Sequence, residues 1–273
     1  MNINSPLRAA ALAAALLSPF AAQSQSPVPS DLVQAGIRSG WKTDSGTYIA
    51  ALHLKLSPDW ITYWRHPGES GIAPRLDWAA SSNLEQVRIH WPEPQLFQKS
   101  GYNSIGYADE LVLPVELTPT DPGAPISFDA TLSIGVCDDI CVPVDLRVQT
   151  TLNGGGQHDT IIASALTRRP GTARAAGLRG LSCEFDTDKR GLRLSVNMDI
   201  PNTGNREFLL VELPGQGLRG HILPSHRNGG TITGQTRLRS KSGQVGAVDR
   251  SAVRVSLVSE NGTLSHQGCS LAP

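Results

Sequence analysis

The sequence predicts an all-β protein made of two β-sandwich domains in tandem. Three observations carry that expectation. Apolar residues recur at every second position through several short segments, which is the period of a half-buried strand. The 27 Gly and 19 Pro residues cluster with Asn and Ser between those segments, where turns belong. A length of 273 residues suits two domains of about 100 to 130 residues each.

The chain begins with MNINSPLRAAALAAALLSPFAAQSQ, in which Arg8 precedes the apolar run Ala9 to Leu17. A charged start, a short apolar stretch and small residues at Ala22 and Ser24 are the marks of a cleaved signal peptide, expected over residues 1–24. The run is far short of the roughly 20 apolar residues a spanning helix needs, and no later segment reaches that length. A soluble protein exported to an oxidising space is therefore expected. Lys+Arg and Asp+Glu are both 24, and no basic stripe favours nucleic acid.

The first domain is expected over residues 31–153. In LHLKL, Leu52, Leu54 and Leu56 share one face and His53 and Lys55 the other. Val87, Ile89 and Trp91 alternate with Arg88 and His90. ELVLPVEL puts Leu111, Leu113, Val115 and Leu117 on a core face, and Pro114 on the opposite face suggests an edge or bulged strand. Ile126 through Val136 alternate the same way, and after a short turn so do Val142, Val144, Leu146 and Val148.

Residues 154–180 open with NGGG and are expected to connect the domains. Within them HDTIIASALTRRPG supports a short helix from about Asp159 to Leu166, capped by Asp159 and stopped before Pro170. The second sandwich is expected over residues 181–273. There Leu192, Leu194, Val196, Met198 and Ile200 alternate with polar residues, as do Val253, Val255 and Leu257.

Four cysteines allow three pairings, and pairing within each domain is the economical one. A Cys183–Cys269 bridge would close about 87 residues and stabilise by about 4.6 kcal/mol, whereas Cys137–Cys141 would close about five and yield about 2 kcal/mol. The first is expected to be a structural staple; the second is poorly placed to be one. Strand parity puts Cys137 and Cys141 with the polar residues, directly opposed across a three-residue loop and turned away from the core. Asp138 and Asp139 between them disfavour thiolates by like-charge repulsion. On these residues alone the pair has three readings: a redox couple, a solvent-facing structural bridge, or a metal clip.

The metal reading has the least support, because C-x3-C supplies two soft ligands and His66 and His90 lie elsewhere. A copper(I) site on both thiolates has no thioether cluster behind it, with two Met in the chain. No metal and no cofactor is expected. Gly68-Glu69-Ser70-Gly71 fails the G-x-S-x-G elbow at Ile72, so Ser70 is expected to be a turn residue. Trp60, Tyr63, Trp64 and Trp78 are expected to divide between core and an aromatic wall beside a site.

YWRHPGESGIAPRLDW, WPEP at Trp91 to Pro94, IGYADELVLPVEL from Ile105, and GVCDDICVP from Gly135 follow one another over Trp60 to Pro143. Together they resemble the amino-terminal periplasmic domain of the DsbD thiol:disulfide interchange family, in the branch of ScsB-type proteins of suppressor-of-copper-sensitivity systems. The resemblance implies immunoglobulin-like domains and a thiol:disulfide exchange role in which Cys137 and Cys141 form the redox couple. It implies electrons passed from a membrane-embedded partner to periplasmic thioredoxin-like proteins. It also implies a cap loop with an aromatic shield, expected within LFQKSGYNSIGY with Phe97, Tyr102 or Tyr107 as the shield. The founding domain spaces its cysteines more widely than C-x3-C. No C-x-x-C and no membrane segment is found beyond the leader, so the electron donor is expected to be a separate, DsbD-like membrane chain. A non-catalytic binding or assembly module and a copper(I)-handling protein are the alternative expectations.

Overall fold

Each alternating segment becomes a strand with its apolar set turned to one side. The computed structural model describes residues 32–99, 101–154, 156–188, 191–216, 218, 221–238 and 247–269; the expected leader lies outside the described residues. The first domain contains β1 (Val33–Lys42), β2 (Tyr48–Leu56), β3 (Ile61–Gly68), β4 (Arg75–Asp77), β5 (Gln86–Ile89), β6 (Gln95–Lys99), β7 (Tyr102–Ala108), β8 (Glu110–Thr118), β9 (Ile126–Cys137) and β10 (Cys141–Leu152). One sheet runs β1-β2-β8-β5. The facing sheet runs β10-β9-β3-β7-β6, with β4 joining β9 beyond the point where β3 leaves it. Leu52, Leu54, Leu113, Val115 and Leu117 meet Trp64, Phe128, Leu132, Ile134 and Val136 between the sheets. Trp60 and Trp78 pack at the margin of this core.

Pro114 does not mark an edge, because β8 is an interior strand between β2 and β5. Its carbonyl accepts from the His90 N–H at 2.9 Å, so its backbone polar groups face the β5 side. There the ladder has already ended at Ile89↔Val115, and the missing proline N–H breaks no strand pairing.

The connection is not a free tether. Helix α1 (Thr160–Thr167) is capped by Asp159, whose carboxylate accepts from the N–H groups of Ile161 and Ile162 and from Arg38. Burial raises the Asp159 carboxyl, but the Ile162 and Ile161 N–H groups and Arg38 outweigh it and hold the acid below its ordinary range. Ile162 and Ala165 then cover Ile49, Ala51 and Val112 on the outer face of the first sheet.

The second domain contains β11 (Gly171–Thr172), β12 (Gly180–Asp188), β13 (Gly191–Asp199), β14 (Glu207–Glu212), β15 (His221–Leu223), β16 (Ser225–Asn228), β17 (Thr231–Leu238), β18 (Arg254–Ser259) and β19 (Gly262–Gln267). Its sheets run β11-β19-β18-β14-β15 and β12-β13-β17-β16, so pairing to this domain already begins at Gly171. No helix among the described residues is long and apolar enough to cross a membrane.

The two domains share buried surface. Leu210 on β14 and Val258 on β18 turn away from their own core and join the buried cluster of the first domain. Beside them Arg65 lies over the Trp64 ring, 3.6 Å from its centroid, and donates through Nε and Nη2 to the Glu212 carboxylate at 2.8 and 2.9 Å. Burial lowers the Arg65 pKa and Glu212 opposes that shift. A little further on, the Thr263 N–H donates to Glu93 at 2.7 Å.

Two predictions follow from this packing. Glu212→Ala leaves Arg65 with its side chain 15% exposed and its partner gone, and should destabilise the protein by about 3 kcal/mol in denaturant unfolding; a loss below about 1 kcal/mol would show the pair to be incidental. On the β9–β10 hairpin, Arg147 and Gln149 hold the Asp129 carboxyl down to about 2. An unfolded aspartate titrates near 4, so this contact contributes fully above about pH 4 and is lost as pH falls through 2. Asp129→Asn should therefore flatten the pH dependence of the unfolding midpoint across that window.

Candidate functional site

The site is built at the end of β9 and the start of β10, where twelve consecutive residue pairs keep one register from Leu152↔Ile126 to Cys141↔Cys137. That register leaves Asp138, Asp139 and Ile140 as the loop, closed by the Asp138 N–H donating to the Ile140 carbonyl at 3.1 Å. The two cysteines face each other with Cα atoms 4.1 Å apart and form a disulfide. Even-numbered residues of β9 fill the inter-sheet core, so Cys137 is on the outer face of its sheet.

Outer face does not mean open to solvent. Cys137 is only 2% exposed, buried with Ile61 and Tyr63 of β3 and covered by Phe97 and Ala108. Cys137 turns away from the core as strand parity predicts, but on that face it is covered, so parity does not translate into exposure. Two neighbouring strands supply its cover: Ile61 pairs with Cys137 on one side and with Ala108 on the other. Cys141 has no such neighbour, because β10 is the edge strand, and it is exposed. Ile140 beside it is 67% exposed.

The expected cap is a β-hairpin, β6 and β7, paired from Gln95↔Gly106 to Lys99↔Tyr102; Ser100 lies outside the described residues. Phe97 is the aromatic residue that packs on the cysteine cluster. Tyr102 is not positioned to shield it. It is 55% exposed and six residues from Ala108, about 20 Å along an extended strand. Tyr107 is no shield either: it faces the inter-sheet core and donates its hydroxyl to the Pro92 carbonyl at 2.9 Å. Burial pushes the Tyr107 phenol well up, with Arg65 pulling weakly the other way.

Of the four aromatic residues expected to divide between core and a wall beside a site, Tyr63 is the one that joins the cover of Cys137. Its ring occupies a slot left by two glycines. A side chain at Gly71 would run into that ring, and one at Gly135 would meet Ile72 first and press on the ring; Gly71 also holds φ +114°, a conformation that L side chains rarely adopt. The Tyr63 hydroxyl lies 3.4 Å from Sγ of Cys141 and, with the sulfur in a disulfide, is the donor. Burial raises the Tyr63 phenol pKa and a hydrogen bond with Ser104 opposes it, so the group stays a proton donor well above neutral pH. Thr62, on the opposite face of β3, donates to the Gly135 carbonyl at 2.9 Å and fixes β3 to β9 at this level. Ile61-Thr62-Tyr63-Trp64 hides its alternation because both sets are bulky, though Thr62 between larger residues was a usable sign.

The other pair, Cys183 and Cys269, is different in kind. Both residues are buried within the core of the second domain, 0% and 4% exposed, and they form the second disulfide. The Cys183 carbonyl accepts from Arg250 at 2.8 Å.

Residues 31–153 match the family described as "Thiol:disulfide interchange protein DsbD, N-terminal". Among solved structures, the N-terminal periplasmic domain of ScsB from Proteus mirabilis aligns with a TM-score of 0.61 at 21% identity, over 88% of this chain and 92% of that one. The likeness shows that the fold of both sandwiches is shared. The periplasmic chaperone SfaE aligns over 88% of this chain and 100% of that one at 9% identity, with a TM-score of 0.23. A search of curated protein sequences finds no match.

After reduction, Cys141 should react with iodoacetamide at least about tenfold faster than Cys137, because Cys141 is exposed and Cys137 is covered. Mass spectrometry of samples quenched over time reads both rates. Equal rates would contradict the cover described for Cys137.

Proposed function

We propose, from the premise that residues 31–153 are an amino-terminal domain of the DsbD thiol:disulfide interchange family, that Cys137 and Cys141 form the working redox couple of a periplasmic electron carrier. The observation that carries this reading is the asymmetry of the disulfide: Cys141 is an exposed residue at a hairpin tip and Cys137 is buried outside the domain core. A structural bridge has no use for that arrangement, whereas exchange needs one reachable sulfur and one protected sulfur.

Reduction begins when a partner thiolate attacks Sγ of Cys141. The Sγ–Sγ bond breaks, its electron pair goes to Cys137, and a mixed disulfide joins the partner to Cys141. A second partner thiol then attacks the mixed disulfide and leaves with the first as a disulfide, and the domain retains two electrons and two protons as its dithiol. In the outgoing direction, the Cys141 thiolate attacks a substrate disulfide. Cys137 then resolves the mixed species by attacking Cys141, which restores the internal disulfide and releases reduced substrate. The donor in this proposal is a membrane-embedded DsbD-like chain, and the acceptors are periplasmic thioredoxin-like proteins reached after export on residues 1–24.

The Tyr63 hydroxyl acts as a positioning group. In the dithiol form it can donate to the Cys141 thiolate, opposing the repulsion from Asp138 and Asp139. Cys183 and Cys269 take no part.

Cys137→Ser should trap mixed disulfides through Cys141 that are visible on non-reducing gels and vanish with reductant, whereas Cys141→Ser should trap none. The Cys137–Cys141 couple should also titrate above about −300 mV, the level below which structural bridges resist reduction. A lower potential, with no trapped species, would leave a binding module with two structural disulfides.

A further inference from the structure

The tip of the β9–β10 hairpin carries more than a reachable sulfur. Ile140, next to Cys141, is 67% exposed and belongs to none of the buried apolar clusters among the described residues. Its backbone is held all the same, because its carbonyl accepts from the Asp138 N–H at 3.1 Å and closes the loop. An isolated exposed isoleucine is ordinary on a protein surface. What sets this one apart is its distance from the reacting atom. A disulfide keeps its two Cα atoms about 4.4 to 6.8 Å apart, and neighbouring Cα atoms along a chain are about 3.8 Å apart. A protein joined to Cys141 therefore brings its backbone within about 11 Å of the Ile140 Cα. At about 10 Å, facing side chains fill the gap between two packed layers.

The surroundings of Ile140 are anionic. Asp139 is exposed and Asp138 half-buried. Cys137 pairs with Ile61 and Ile61 with Ala108, which brings exposed Asp59, two residues before Ile61, and exposed Asp109, next to Ala108, to the same end of the sheet. The cations at this end, His53 and Lys55, lie on the facing sheet and are answered by Glu110: His53 is 2.5 Å from its carboxylate and Lys55 pairs with it in register. Along the hairpin's own sheet, Arg75 pairs with Ser133, four residues and about 13 Å down β9 from Cys137. It is level there with Asp145 on β10. An incoming thiolate is itself an anion, so cations beside it offset the repulsion that the tip imposes on its approach.

We propose that Ile140 and Asp139 select the partner in the exchange assigned above to Cys137 and Cys141, a reading on which this inference rests. The tip docks on a protein whose reactive cysteine is bordered by apolar side chains, which receive Ile140, and by lysine or arginine, which answers Asp139.

Competition at Cys141 of the full chain carrying Cys137→Ser tests this. Three capped peptides, Leu-Lys-Cys-Lys-Leu, Ser-Lys-Cys-Lys-Ser and Leu-Glu-Cys-Glu-Leu, are equilibrated with it in a 2-mercaptoethanol redox buffer. One thiolate displaces another from the Cys141 disulfide, so that one S–S bond forms as one breaks, and intact-mass spectrometry reads the populations. Comparing the same peptides on different variants cancels differences between their own thiols. Ile140→Ser should lower the preference for the Leu-Lys over the Ser-Lys peptide at least about threefold, and Ile140→Leu should retain it. Asp139→Asn should lower the preference for the Leu-Lys over the Leu-Glu peptide by a similar factor, and added salt should do the same on the parent. A Leu-over-Ser preference unmoved by Ile140→Ser would overturn the apolar anchor, and a Lys-over-Glu preference unmoved by Asp139→Asn would overturn the charge selection. The exchange reading fails separately: if 2-mercaptoethanol reduces Cys137–Cys141 of the parent no faster than Cys183–Cys269, that reading falls and takes this inference with it. Ready reduction by 2-mercaptoethanol without discrimination among the peptides overturns the partner selection alone.

Discussion

The unbroken register of β9 against β10 is the constraint on which the site depends. Strand side chains alternate with a period of two, so a slip of one residue would turn every core-facing side chain outward. Ile126, Phe128, Ala130, Leu132, Ile134 and Val136 all lie in one core, which holds the register from one end of the hairpin to the other. That same register brings Cys137 opposite Cys141, puts both on the outer face, and leaves three residues to close the loop. The geometry of the disulfide is in this sense a by-product of hydrophobic burial elsewhere on the strand.

Sheet order then makes the two sulfurs unequal. Cys137 is flanked by β3 and, one strand further, by β7, so Ile61, Tyr63 and Ala108 stand around it and Phe97 of β6 closes over them. Cys141 belongs to the last strand of the sheet and has a neighbour on one side only. The second domain meets the same part of the molecule from the other face of the sheet, where Leu210 and Val258 extend the inter-sheet cluster that contains Trp64 and Tyr107. Movement of the strands that cover Cys137 is therefore resisted by packing that the first domain does not supply alone.

How much of this the sequence disclosed can be traced residue by residue. Period-two alternation was sufficient for the two sandwiches, the strand faces, and the opposition of Cys137 to Cys141. It gave the face of Cys137 but not its cover, because Ile61, Tyr63 and Phe97 arrive from strands 40 to 76 positions away and depend on sheet order. Phe97, Tyr102 and Tyr107 were indistinguishable as aromatic residues in one segment; the β6–β7 register separates them, placing one over the cluster, one at the far turn and one in the core. Pro114 misled because the rule against interior proline concerns a hydrogen bond, and here no strand partner remained to receive it. The docking of the second domain did leave a signal. Leu209-Leu210-Val211 and Leu257-Val258 are continuous apolar runs, as expected of strands covered on both faces.

The aspartates in the loop fit this asymmetry. Asp138 and Asp139 raise the cost of any thiolate at the hairpin tip, and the apolar cover of Ile61, Tyr63 and Phe97 raises it again for Cys137, since burial disfavours the charged form. Cys141 escapes the second penalty by being exposed and has the Tyr63 hydroxyl within reach as a donor. Negative charge in a reduced pair is therefore expected to settle on Cys141, which is also the sulfur that a partner can touch. In the exchange proposed for this pair, Cys137 would keep its proton under cover until a mixed disulfide forms. Attack by Cys137 would then convert its own unfavourable burial as a thiolate into a neutral disulfide, drawing the proposed exchange toward release of the partner.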